Sequence, residues 1–271
     1  MTLTPTDISQ GVQALGMSGT PVCVHSSLRS FGPLDRGPSA VVEGLLAEHC
    51  TLLVPSFSSE AYEVAPPPGV SILRNAMEVE VPTGPTPGSG RAYTSTATEI
   101  DSDMGAIPRT VANTPGRARS AHPIRSFSAV GPQASELASE KDAELFGPLM
   151  KLAGAGGAVL LMGVGLDKIT AIHLAEQLSG RNMFVRWANG PDLKPRAVEV
   201  GGCSNGFPGL TDVLSPIEKQ TTVGGSMWRV FPAQQILDIA TQAIRRAPEV
   251  THCAKNCVRC DSAVLGGPTP A

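Results

Sequence analysis

No run of about 18 consecutive apolar residues occurs in the 271-residue chain, so it offers no membrane-spanning helix. The opening MTLTPTDISQGVQALG lacks the basic-then-apolar order of a secretory leader, which leads us to expect a cytoplasmic protein with no membrane partner. An excess of positive charge is missing as well. Lys and Arg number 21 against 24 Asp and Glu, so a net charge of -3 gives no overall field for nucleic acid. Cysteine is too scarce and uneven for a disulfide scaffold. Cys23 and Cys50 sit in apolar segments, and three of the six crowd near the end, which suits free thiols or a metal site. No internal repeat and no long linker divides the chain, so residues 1–271 are expected to form a single domain.

Glycine and proline are plentiful, at 29 and 24, and their interleaving with apolar segments points to long ordered loops. Asp7 and Gln10 have capping-box spacing ahead of an apolar-periodic stretch that stops at Gly16, predicting a first helix. TPVCVHSSL then reads as a buried strand, SAVVEGLLAEH as a helix and TLLVPSF as the next strand. Further on, IPRTVAN, PQASELASE and GPLMKLAG read as helices, and SFSAVG and AVLLMGV as strands. MFVRWA and RAVEVGG read as strands joined by the turn NGPDLKP, followed by the strand SMWRVFP. The last helix, PAQQILDIATQAIRRAP, should bury Ile236, Ile239, Ala240 and Ala243, with Pro232 in its first turn. Such alternation predicts an α/β layered fold. Residues 59–105 lack periodicity and are too long for a connector, so they are expected to be an elaborated substrate loop.

Charge is distributed unevenly. From Glu60 to Asp103 seven acidic residues, Asp101 among them, face two arginines, whereas Met104 to Gly131 holds four arginines and no acid. His173 and Glu176 lie three apart on a helix that opens at Thr170 after the apolar strand, so their side chains can meet. A carboxylate beside an imidazole orients it and suits it to accept a proton, although the same spacing also fits a packed histidine beside a solvated glutamate. Gly163 and Gly165, at the end of the strand, would let a ligand approach the backbone. HSSLRSFGP could present backbone N–H groups to an anion, and RARSAHPIRSF brings arginines and a histidine together in a way that suits phosphate oxygens.

VHSSLRSFG, TLLVPSFS, MGAIPRTV, PGRARSAHPIRSFSAVGPQA and LLMGVGLDKITAIHLAE occur in the order of the motifs of the aminoglycoside 3-N-acetyltransferase family, which the chain resembles over roughly residues 7 to 262. The resemblance implies a three-layer α/β/α sandwich of that family's type, unrelated to GNAT acetyltransferases. It also implies acetyl transfer from acetyl-CoA to an amine, usually the 3-amino group of an aminoglycoside, and antibiotic resistance as the outcome. The matching Thr-x-x-His-x-x-Glu motif puts the general base at His173, supported by Glu176 and Thr170, in a direct attack. It puts CoA at His25, Ser26, Ser27 and Leu28, and at Arg119, Ser120 and His122. A polycationic substrate would face Glu60, Asp101 and Asp103, with Glu199 matching a carboxylate of apramycin-type members. Here the loop is longer than the family's usual Phe-Asp-Pro stretch and lacks that dipeptide, which leaves a biosynthetic amine open as the acceptor.

The Cys-rich tail, residues 250–271, holds the chelating pair Cys257 and Cys260. With Cys203 and His252, or with Cys253 in place of the histidine, these residues admit a tetrahedral structural zinc; free thiols and a disulfide stay open. Two rival functions are a metal-dependent hydrolase using His25, His122 and His173, and a non-catalytic binding protein. The chain is expected to act as a monomer or homodimer on a small molecule.

Overall fold

The computed structural model describes residues 2–77, 90–141, 143–263, 267, 269 and 270. Glu78 and Glu80 of the acidic stretch lie outside them. The first helix, α1 (Pro5–Ala14), starts one turn before the expected box. Thr4 is its N-cap and accepts from the Asp7 N–H, while the Asp7 carboxylate accepts from the Thr4 N–H at 2.7 Å, so the capping box is Thr4 with Asp7, not Asp7 with Gln10. Beyond the helix Gly16 takes φ +68, a left-handed conformation that favours glycine.

The chain continues through β1 (Pro21–Ser26), α2 (Pro38–Ala47) and β2 (Thr51–Pro55). The expected substrate loop carries α3 (Ser59–Tyr62), β3 (Glu63–Val64) and β4 (Ile72–Leu73). After it come α4 (Ala106–Asn113), β5 (Ala118–Arg119), β6 (Phe127–Val130), α5 (Ala134–Leu137), α6 (Gly147–Gly154), β7 (Ala158–Met162) and α7 (Thr170–Leu178). The remaining elements are β8 (Phe184–Asn189), β9 (Pro195–Val200), α8 (Thr211–Leu214), β10 (Lys219–Val223), β11 (Ser226–Pro232), α9 (Ala233–Arg246), α10 (Val258–Ala263) and β12 (Thr269–Pro270).

Seven strands form the central sheet in the order β10-β11-β7-β1-β2-β6-β5. Its middle, β7-β1-β2, is parallel, and both flanks are antiparallel. Alternation along the strands explains the layering. Val22, Val24, Leu52, Leu160, Met162 and Trp228 pack with α1, α2 and α4 on one face, whereas Cys23, Leu53, Val159, Leu161 and Phe231 pack with α5, α6, α7 and α9 on the other. Buried on both sides, the central strands read as continuous apolar runs, and the result is the three-layer α/β/α sandwich. The hairpin β10–β11 turns at Gly224, φ +59, and Gly225, a Gly-Gly signal hidden in the sequence because KQTTV is mostly polar and, but for Val223, lies at the surface.

In α9 the buried face is Ile236, Leu237, Ala240, Thr241 and Ile244; Ile239 and Ala243 sit at its half-buried margin. The stripe is rotated because Leu237 and Ile244 reach the core shared with α7. Pro232 is the N-cap, one place before the first turn. A second, antiparallel sheet, β3-β8-β9, incorporates part of the 59–105 segment beside the main sheet.

Candidate active site

Because β1, β2 and β7 run in parallel, their carboxyl ends open on the same edge of the sheet, where the backbone diverges into loops. A cleft of about 540 Å³ lies there, walled by His25 and Ser26 at the end of β1, by Phe57, Ser59 and Glu60 after β2, and by Val164, Asp167, Lys168, Ile169 and Thr170 after β7. No helix among the described residues is long and apolar enough to cross a membrane.

Thr170 is the first residue of α7 and His173 lies one turn on, so both face the cleft. The His173 Nδ1 stands 2.8 Å from Glu176 Oε2. A carboxylate only accepts, so Nδ1 carries a hydrogen, and in the neutral ring the lone pair is then on Nε2. Among the described residues no other hydrogen bond is made to the imidazole, and its Nε2 is left for a ligand. Glu176 is buried, with a side chain 5% exposed, and is held by more than histidine. Arg181 Nη1 donates to its Oε1 at 2.5 Å, Thr251 Oγ1 donates to the same oxygen at 3.2 Å, and Arg181 also reaches Thr251 and the Pro248 carbonyl. Phe207 meets the imidazole edge-on at 4.7 Å between centroids. Gly201 closes the other side: a Cβ built there would stand 2.8 Å from the ring Cδ2. Arg181, Thr251, Phe207 and Gly201 were not legible as site residues. They come from other elements, and only the Gly-Gly pair at 201 and 202 hints at a close approach.

The acidic residues divide. Glu60 and Asp103 are exposed in the cleft wall, and hydrogen bonds from the Ser102 hydroxyl and N–H hold the Glu60 carboxyl below its usual range. Asp101 also lines the cleft but is 6% exposed. It accepts from the Glu60 N–H at 2.8 Å and faces Arg125 at 3.6 Å, and burial pushes its carboxyl up. Glu199 does not line the cleft; it is exposed on β9 and accepts from Gln177 at 3.2 Å.

Two of the expected CoA stretches meet the structure differently. His25 and Ser26 face the cleft, whereas the Ser27 N–H is spent on the Met162 carbonyl and Leu28 enters a 3-10 turn half-buried against the core. Burial, with Lys168 adding to it, pushes His25 down to about 4, so its imidazole is neutral near pH 7. Arg119, Ser120 and His122 are not in the cleft wall. Arg119 is 2% exposed and gives its donors to the carbonyls of Ser56, Ala97 and Glu99 and to the Ser126 hydroxyl. Ser120 Oγ accepts from the Phe127 N–H; His122 bonds the Glu199 carbonyl through Nε2 at 2.9 Å and accepts from the Arg125 N–H. The basic stretch thus fastens the 59–105 segment from inside, and the cations it leaves at the cleft are Arg125 with Lys168 from the loop after β7 and Arg259 from α10. At Gly163 and Gly165 the space that a Cβ would take is filled, by Ser30 in one case and by Asp167 in the other.

Cys203, Cys257 and Cys260 do come together, but with Cys253 as the fourth member, all four sulfurs within 4.8 Å of one another. His252 turns away, and its Nε2 is enclosed with no hydrogen-bond partner among the described residues. That is the only cluster of His, Cys, Asp or Glu with metal-holding proximity among the described residues, so His25, His122 and His173 form no ligand set for a hydrolytic metal.

Fold and cleft define the class: a three-layer α/β protein with a cleft of mixed polar and apolar lining at the carboxyl ends of its parallel strands and a carboxylate-held imidazole in the wall. The family model for aminoglycoside 3-N-acetyltransferase matches residues 23–245. The chain belongs to that family. It is 31% identical to aminoglycoside N(3)-acetyltransferase III of Salmonella sp over 85% of this chain and 87% of that protein. It is 34% identical to aminoglycoside N(3)-acetyltransferase VIII of Streptomyces fradiae, covering 61% of this chain but only 57% of that protein's length. The crystal structure of aminoglycoside acetyltransferase AAC(3)-IVa, as a histidine-to-alanine mutant in complex with a gentamicin, superposes with a TM-score of 0.77 at 26% identity over 97% of both chains.

Proposed function

We propose that the protein transfers the acetyl group of acetyl-CoA to an amino group of an aminoglycoside, the 3-amino group being the site the family name indicates, by direct attack with His173 as general base. The observation that carries this reading is the 2.8 Å bond between His173 Nδ1 and Glu176 Oε2, which leaves Nε2 as an acceptor in the cleft. An ammonium cannot attack a thioester. The ammonium therefore first loses one proton to solvent; Nε2 then takes a second proton from the neutral amine as its nitrogen bonds to the carbonyl carbon, the carbon–sulfur bond breaks, and the CoA thiolate leaves with that proton returned by the imidazolium. Glu176 holds the ring in the tautomer that this requires.

Direct attack is favoured over an acyl-enzyme because no activated nucleophile adjoins the imidazole among the described residues. Cys23, 3.6 Å from His25, is wholly buried, and burial pushes its thiol up, away from thiolate. The carboxylates of Glu60 and Asp103 in the cleft wall would attract a polycationic acceptor, and Lys168 and Arg125 in the same wall are the cations available to the acyl donor's phosphates. Acetylation removes one positive charge and one amine donor from the drug, which weakens its contacts with ribosomal RNA phosphates and so confers resistance.

Thiol release from acetyl-CoA, measured with a panel that includes apramycin, gentamicin and sisomicin, tests the reaction and the acceptor together. Turnover with at least one of them and a loss of about 10²-fold or more in kcat for His173→Ala are expected. A folded His173→Ala variant with full kcat refutes the assignment of the base.

A further inference from the structure

We propose that Cys203, Cys253, Cys257 and Cys260 form a tetrathiolate zinc(II) site that fastens the carboxyl-terminal segment to the wall of the cleft. Geometry comes first. Cys253 Sγ lies 3.7 Å from the sulfurs of both Cys203 and Cys260. With Zn–S bonds of about 2.3 Å, a regular tetrahedron has sulfur–sulfur edges of about 3.8 Å, whereas a disulfide needs about 2.05 Å. The spacing therefore suits a shared ion and not a bond between pairs. All six cysteines are free.

Chemistry points the same way. Thiols are weak hydrogen-bond donors and acceptors, so four of them, two buried, gain little by crowding together unless something else binds them. The surrounding backbone is arranged for thiolates. The Cys253 N–H donates to Cys260 Sγ at 3.5 Å, the N–H groups of Arg259 and Cys260 point at the Cys257 sulfur, and that of Asn205 points at the Cys203 sulfur. Such donors offset the charge of -2 that one zinc dication and four thiolates carry, each thiol having released its proton to solvent. With every coordination position taken by protein, the site is closed and structural, and its S4 donor set without any redox step in the cleft chemistry favours zinc over iron.

The tetrahedron joins pieces of chain that each reach the catalytic helix or the cleft. Cys203 stands two residues after Gly201, whose backbone packs on the His173 ring, and Ser204 lines the cleft. Cys253 follows Thr251, a hydrogen-bond donor to Glu176. Between Cys257 and Cys260 stands Arg259, also in the cleft wall. The ion thus sets the position of the walls that confine the imidazole, without touching substrate.

The test counts metal in the whole chain purified without chelator. About one zinc per chain is expected by elemental analysis, falling to none in Cys257→Ser, with a Tm lower by about 10 °C or more in that variant and thiol release declining with zinc content. Should Cys257→Ser fail to fold, cobalt(II) added to chelator-stripped wild-type protein supplies a second readout, where the intense visible bands of a tetrahedral cobalt tetrathiolate are expected. A zinc-free chain that folds with unchanged Tm, iron in place of zinc, or cobalt bound without thiolate bands overturns the proposal. Metal counting is independent of acetyl transfer, so failure here and failure of the proposed reaction are distinguishable.

Discussion

Replacing Glu176 by glutamine exchanges one oxygen for an NH2 group and should disable the base without emptying the site. The carboxylate now accepts from His173 at one oxygen and from Arg181 and Thr251 at the other. A glutamine must present its oxygen to the Arg181 guanidinium, which can only donate, and therefore turns its NH2 toward His173 Nδ1. Nδ1 then has to accept, the hydrogen moves to Nε2, and the imidazole meets the substrate amine with the wrong tautomer. General-base catalysis is worth about 10²- to 10⁴-fold, so kcat should fall by that factor, equivalent to about 3–5 kcal/mol of barrier, with KM for both substrates changing little. Stability drops as well. Arg181, with a side chain 6% exposed, keeps a hydrogen bond but loses its opposing charge, at a cost of about 1–3 kcal/mol, or a Tm lower by roughly 3–10 °C. Steady-state thiol release and a thermal melt on the same preparation measure both. A folded Glu176→Gln enzyme with wild-type kcat would refute the orienting role, and with it the claim that Nε2 is the proton acceptor.

Gly201→Ala should lower kcat at least about tenfold while leaving Tm within a few degrees, because the new methyl lies 3.1 Å or less from three ring atoms of His173 and has to push the ring aside; unchanged kinetics would mean that the strip yields instead. Arg119→Met should destabilise the fold by about 3 kcal/mol or more, read as a lower Tm, since three backbone carbonyls lose their buried donor. A normal Tm with a raised KM for acetyl-CoA would restore the phosphate-binding role that the resemblance implies. Acid should also destabilise the protein through His25 and His122, both pushed down to about 4 mainly by burial. The unfolded chain protonates these rings near pH 6.5, before the folded one does, so stability is intact above about pH 6.5 and is lost as pH falls toward 4, by up to about 3 kcal/mol per histidine. Chemical denaturation across that range checks it, and a flat profile would show the two rings to be solvated.

Periodicity along the chain was enough to place most strands and helices, because burial on one or both faces of a sheet dictates the residue pattern locally. His173 and Glu176 were legible for the same reason: a helix brings residues three apart together wherever it sits. The two-cysteine chelate at 257 and 260 is likewise a local matter. What joins residues distant in sequence had to wait for the folded chain. Arg119, Ser120 and His122 read as a phosphate-binding stretch, yet the 59–105 segment wraps over them and takes the Arg119 donors, since its own carbonyls would otherwise be buried unpaired. Arg181 and Thr251, 5 and 75 residues from Glu176, complete its hold on the base only because the turn after α7 and the 3-10 turn after α9 converge there. The fourth cysteine was decided in the same way, because the backbone after Thr251 turns the Cys253 sulfur toward Cys203, fifty residues earlier, and the adjacent imidazole away. Local chemistry is written in neighbouring residues, whereas which donors are spent and which face the cleft depends on packing between segments that no short window of sequence contains.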